Sequence, residues 1–148
     1  AIGSYLISKK IAPTGGAPID VAGEVGGENG GGLPDLRATF SAGYDADMWG
    51  VYAQLRYISD GKYNNLFGPE ELSDADNNIG DVSYVDISAK YDLADMVGHQ
   101  VELYGGIANL FDREPPLTPS TFISNSATNA SIYDVIGRKF YVGVRGTF

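Results

Sequence analysis

The chain has 148 residues, no cysteine and one histidine, and sets 10 Lys and Arg against 19 Asp and Glu for a net charge of −9. That length can bury a core of its own, the missing thiols exclude a disulfide framework or a thiolate metal site, and the acidic balance argues against a nucleic-acid partner. Twenty glycines and ten tyrosines suit an all-β chain better than a helical one.

No run of residues approaches the 18 or so apolar positions that a membrane-spanning helix needs. The N-terminus, from Ala1 to Tyr5, lacks the basic start and apolar run of a signal peptide. It also lacks an initiator Met, so a processed or partial chain is expected. Residues 2–11 predict a first strand, in which Tyr5, Ile7 and Ile11 share a face interrupted by Lys9. From Ala12 to Pro34 a long loop follows, with a glycine tract at 26–32. No Gly-Lys-Ser/Thr follows that tract and no helix opens behind it, so a surface loop is expected rather than a phosphate cradle.

The next stretches alternate with a period of two, as strands with two unlike faces do. Leu36, Ala38, Phe40, Ala42 and Tyr44 share one face, and a short connection at 45–47 leads to Trp49, Val51, Ala53, Leu55 and Tyr57. A long acidic loop covers 59–81. Its Asp74, Asp76 and Asn78 resemble the start of a calcium loop, but the glycine comes one place late, at Gly80, and Val85 stands where a bidentate Glu belongs. An EF-hand is thereby excluded, which leaves an irregular calcium site or a solvated acidic loop. Val85, Ile87, Ala89 and Tyr91 form the next apolar stripe. The connection 93–99 holds His99, which is expected to be exposed beside a turn. Val101, Leu103, Gly105 and Ile107 follow, then a third long loop near 112–132. The last strand carries Phe140, Val142, Val144 and Phe148 on one face, with Lys139, Tyr141 and Arg145 on the other.

Across these strands every charge (Arg37, Arg56, Asp86, Lys90, Glu102, Lys139, Arg145) lies opposite the apolar stripe. Connections alternate long and short, which puts 12–34, 59–81 and 112–132 at one end. Outer-membrane barrels have this plan: short periplasmic turns, long external loops and an apolar outer band edged by aromatic residues. Only a closed barrel lets strands cross lipid with every amide paired. The expected fold is therefore all-β, with about six antiparallel transmembrane strands. Phe40, Trp49, Val51, Leu55, Ile87, Leu103 and Ile107 are expected to face lipid in the bacterial outer membrane. Six strands are too few for a barrel interior, and Arg37, Arg56, Lys90 and Arg145 suit a wide, wet or plugged one. Residues 1–148 are thus expected to be part of a larger barrel. The terminal strand should pair on one side with 101–110 and leave its other edge open within this chain.

Residues 106–115, with Asn109, Leu110, Phe111 and Asp112 at their centre, are followed after a polar loop by 133–148, ending on Phe148. Together they resemble the C-terminal end of TonB-dependent outer-membrane receptors. Residues 32–37 and the strand from Trp49 to Tyr57 are similar to segments further upstream in that family. The resemblance implies a barrel of about 22 strands closed by an N-terminal plug, energised through TonB and importing a bulky nutrient, an iron chelate or a glycan. It further implies that Phe140, Val142, Val144 and Phe148 form the signal read by the barrel-assembly machinery. Expected partners are membrane lipid, the remaining barrel and plug, TonB and that machinery. The rival readings are a passive porin or structural barrel, and a secreted β-sandwich adhesin. With one His, no Cys and Ser only in loops and on strand faces, no nucleophile–base set is expected, so neither enzymatic activity nor a cofactor is.

Overall fold

The computed structural model describes residues 1–12, 14–26, 32–93, 100–118 and 127–147. In chain order its elements are β1 (Ile2–Tyr5), β2 (Lys10–Ile11), β3 (Ile19–Asp20), β4 (Leu36–Asp45), β5 (Trp49–Ile58), β6 (Gly61–Lys62), α1 (Asp74–Asn77), β7 (Asn78–Ile79), β8 (Val82–Asp92), β9 (Gln100–Ala108) and β10 (Lys139–Thr147). Six of them make one antiparallel sheet in the order β1-β4-β5-β8-β9-β10. Two small ribbons, β2 with β3 and β6 with β7, lie within the long connections. Among the described residues the sheet does not close, because β1 and β10 each pair on one side only.

Register keeps the alternation in phase across the whole sheet. Phe40 stands opposite Leu55 and Leu55 opposite Val85; Tyr44 stands opposite Val51 and Val51 opposite Ala89. Ile87 faces Ile107, and Ile107 faces Phe140. A slip of one residue in any pair would put charges among these side chains, and none occurs. The short turn after β4 is held by the Ala46 N–H donating to the Trp49 carbonyl at 2.8 Å, with Tyr44 and Trp49 packed beside it, ring centroids 5.4 Å apart. Of the 93–99 connection only Leu93 is described, so His99 lies outside the described residues.

The first strand is shorter than the expected 2–11. It ends at Tyr5, opposite Leu36, and Leu6 N–H makes a last bond to the Asp35 carbonyl at 2.8 Å. Pro34 has no N–H to extend the ladder. The chain turns away instead, and residues 10–11 pair with 19–20. Asp20 fixes this departure: its carboxylate accepts from the Ser8 hydroxyl at 2.6 Å and from the backbone N–H groups of Lys9 at 2.9 Å and Ala22 at 3.1 Å. Those bonds, the Ser8 hydroxyl foremost, hold its carboxyl below the usual aspartate range.

The buried core does not lie on the apolar stripe. Val25, Ile58, Ile79, Val82, Tyr84 and Tyr133 cluster together, with Tyr63 and Ile132 against them. Ile58, Val82 and Tyr84 share the side of Arg56 and Asp86, by strand parity and register. The three long connections therefore gather over the loop end of the polar face. Among the described residues, it is there that the sheet acquires a second layer.

Candidate functional site: the polar face and its loop cap

All seven side chains expected to contact lipid fall on one face. Phe40, Trp49, Val51, Leu55, Ile87 and Leu103 are exposed there and Ile107 is half-buried. Phe140, Val142 and Val144 continue the same face on the edge strand and are 71%, 79% and 66% exposed. Phe148 lies outside the described residues. No charged residue of β4, β5, β8, β9 or β10 joins this face. At its centre Ala42, Ala53, Ala89 and Gly105 floor a shallow hollow of about 560 Å³ walled by Tyr44, Val51, Ile87 and Ile107.

On the opposite face, charge is paired between strands. Arg56 Nε lies 3.2 Å from Asp86 Oδ2, Lys90 Nζ 2.7 Å from Asp45 Oδ1, and Arg145 Nη1 3.5 Å from Glu102 Oε1. The Lys90–Asp45 pair crosses β5 at Gly50, the residue directly between them in register. A Cβ at Gly50 would come within 2.5 Å of the Asp45 carboxylate and 2.7 Å of Lys90 Cε, so glycine keeps the bridge open. Exposed pairs of this kind contribute little to stability; their larger effect is to fix strand order and register.

The same face shows a second cross-strand pattern. Tyr52 stands opposite Gly43, Tyr104 opposite Gly143 and Tyr141 opposite Gly106. Each tyrosine lies against the glycine it faces, so a Cβ on that glycine would meet the ring. Bare glycine backbone is covered this way, and Arg145 stacks over the Tyr104 ring at 5.8 Å. These tyrosines, with Asp45, Lys90, Glu102 and Arg145, line a polar hollow of about 390 Å³.

The cap joins the three long connections. Between the first and second, Lys62 N–H donates to the Gly23 carbonyl and Val25 N–H to the Lys62 carbonyl, both at 2.8 Å. Between the first and third, Asn129 Nδ2 donates to the Val25 carbonyl at 3.2 Å. Glu24 is fully buried and accepts from Asn65 N–H at 3.2 Å. Asp134 N–H donates to the Tyr84 hydroxyl at 3.2 Å. Tyr133 is buried, and among the described residues its hydroxyl has no hydrogen-bond partner. Burial pushes that hydroxyl up to about 12.

Asn109, expected only as part of a motif, is the joint between cap and sheet. It is fully buried with φ of +51°, a conformation asparagine tolerates better than other side chains. Its Oδ1 accepts from Arg113 N–H at 2.8 Å and its Nδ2 donates to the Arg113 carbonyl at 3.0 Å, which closes a tight turn. Its own N–H donates to Asp86 Oδ1 at 2.8 Å, beside Arg56. Three residues on, Asp112 Oδ1 accepts from Arg138 N–H at 2.8 Å and Oδ2 lies 3.7 Å from the Arg138 guanidinium, so the end of β9 is tied to the start of β10.

Residues 59–81 carry β6, α1 and β7, and their acidic residues, Asp60, Glu70, Glu71, Asp74, Asp76 and Asp81, stay exposed. Ser73 caps α1, its Oγ accepting from Asp76 N–H at 3.2 Å. Asn77 turns inward, where its Oδ1 accepts from Asn64 N–H at 3.0 Å. Among the described residues no group of three or more His, Asp or Glu gathers to ligate a metal. Flanking the glycine tract, of which 27–31 lie outside the described residues, Gly26 and Gly32 pack tightly. A Cβ at Gly26 would strike the Tyr63 carbonyl, and one at Gly32, with φ of +70°, would come within 2.7 Å of Ile132. No protein-family model, curated protein or solved structure matches the chain.

Proposed function

We propose that the chain is the closing part of a transmembrane β-barrel in the bacterial outer membrane, within a TonB-dependent receptor that imports a bulky nutrient, an iron chelate or a glycan. One observation carries the barrel reading. Among the described residues, an in-register antiparallel sheet holds an uncovered, uncharged apolar face, while its buried core and its strand ion pairs lie on the other side. In water such a face would be a liability; against hydrocarbon it is the favoured surface. The polar face is then the lumen wall, and the cap overhangs the lumen at the external end.

The receptor assignment rests on the likeness of 106–115 and 133–148 to that family. Coupled import would need a plug and a contact with TonB supplied outside these residues, and assembly would read Phe140, Val142, Val144 and Phe148. The test is nutrient uptake by cells producing the intact receptor, with TonB present or deleted. Uptake lost without TonB is the expected result. Uptake that persists unchanged identifies a passive porin instead.

A further inference from the structure

Of the ion pairs that join strands on the polar face, Lys90–Asp45 and Arg145–Glu102 lie towards the short-turn end of the sheet, and Arg56–Asp86 lies towards the cap. Arg56 stands directly opposite Tyr84 in register, with Asp86 two residues further along β8. Its guanidinium reaches both. Nε lies 3.2 Å from Asp86 Oδ2 and Nη2 3.5 Å from Oδ1, and the group sits over the Tyr84 ring, 5.2 Å from its centroid. Both neighbours hold backbone of the connection between β9 and β10. Asp86 Oδ1 accepts from the Asn109 N–H where that connection begins, and the Tyr84 hydroxyl accepts from the Asp134 N–H near its end. The tie between Asp112 and Arg138 closes the same neck.

We infer that Arg56 is a positioning residue for the third external connection: from the lumen wall it fixes the Asp86 carboxylate and the Tyr84 ring, and through them both ends of that connection. The inference rests on the barrel reading above, which makes the polar face the lumen wall. A lone carboxylate can turn about its side-chain bond. Two contacts from one planar guanidinium hold it in the orientation in which Oδ1 meets the Asn109 N–H. Tyr84 is fully buried, and the cation over its ring face adds to the packing that keeps its hydroxyl under Asp134. The Arg56 and Asp86 side chains are still 39% and 26% exposed, so the pair is open to whatever occupies the lumen. An occupant that draws Arg56 away loosens a loop on the external side, and one side chain thereby links the state of the lumen to the loop at its mouth.

The test is amide hydrogen exchange of the intact receptor in detergent, read by mass spectrometry on peptides covering 109–113, 133–138 and, as a strand reference, 100–107. In Arg56→Gln, protection at 109–113 and 133–138 should fall about fivefold, the equivalent of one net hydrogen bond, with 100–107 unchanged. Arg145→Gln breaks another pair on the same face and should leave both loop peptides as they were. Arg56→Lys keeps the charge beside Asp86 and should restore most of the protection at 109–113, which a merely space-filling role would not require. Asp86→Asn should loosen 109–113 and add little to Arg56→Gln in the double variant; it also carries the test should Arg56→Gln fail to assemble. Unchanged protection at 109–113 in either variant, or an equal loss at 100–107, overturns the inference. Oxygen and nickel collision at Val51 is read separately, so loop peptides indifferent to Arg56 while Val51 still meets lipid remove this inference and leave the barrel reading standing.

Discussion

Replacing Asn109 tests whether the turn after β9 is held by its side chain or merely permits it. In Asn109→Ala the two hydrogen bonds to the Arg113 backbone, at 2.8 and 3.0 Å, are lost. Arg113 is exposed, so water can reach its freed N–H and carbonyl, and the loss is near the net value of about 1 kcal/mol per bond. Alanine at φ of +51° adds roughly 1 kcal/mol of backbone strain, for a total of roughly 3 kcal/mol. Asn109→Gly loses the same bonds without the strain, while its extra freedom in the unfolded chain costs about 0.4–1 kcal/mol. It should therefore be the milder change, by about 0.5 kcal/mol. Urea titration in micelles, followed by the fluorescence of Trp49, the only tryptophan, gives both values. A cost for alanine below about 1 kcal/mol, or a glycine variant clearly worse than alanine, would refute the reasoning.

Tyr133→Phe removes a buried hydroxyl that has no partner among the described residues, so the variant should be more stable by about 1 kcal/mol in the same titration. Because the folded state raises this hydroxyl from 10.0 to about 12, its contribution to stability is present below pH 10 and lost as pH rises towards 12; the phenylalanine variant should lose less stability across that window. For Gly143→Ala the three nearest atoms to the new Cβ all belong to the Tyr104 side chain, whereas for Gly106→Ala the Ile87 carbonyl also lies at 2.6 Å. Tyr104→Ala should accordingly suppress the first defect, and Tyr141→Ala should leave most of the second, each read as a double-mutant cycle. Val142→Arg should cost roughly 2–4 kcal/mol in a bilayer and Tyr141→Arg much less; equal costs would mean that the two faces of β10 meet the same solvent.

The sheet was legible from Leu36 onward because the alternation of those strands is uninterrupted. Trp49 to Tyr57 and Val85 to Tyr91 each place apolar residues at every second position, and that periodicity alone sets facing and register. The cap was not legible. Val82 and Tyr84 sit on the polar side of β8, where alternation groups them with Arg56 and Asp86, and their burial depends on Val25 and Tyr133 arriving from distant loops. Glycine-rich and acidic composition marks 12–34 and 59–81 as loops but carries no sign that Gly23, Val25 and Lys62 are bonded together. Residues 10–11 left the first strand because of a long-range capture by Asp20, which local pattern does not encode. The Tyr–Gly facing pairs, by contrast, could have been found by aligning the strands at the register their apolar stripes require. Asn109 was within reach only as a motif, since its role depends on the backbone of Arg113 and the carboxylate of Asp86.

The central claim, that one face of this sheet meets lipid and the other a polar lumen, is tested most directly by single nitroxide labels read for collision with oxygen against a water-soluble nickel chelate in bilayers. Labels at Val51, Ile87, Leu103 and Val142 should favour oxygen, while labels at Tyr52, Ser88, Tyr104 and Tyr141 should favour nickel or be shielded from both. Two sets with the same accessibility, or nickel reaching Val51 and Ile87 freely, would contradict the account.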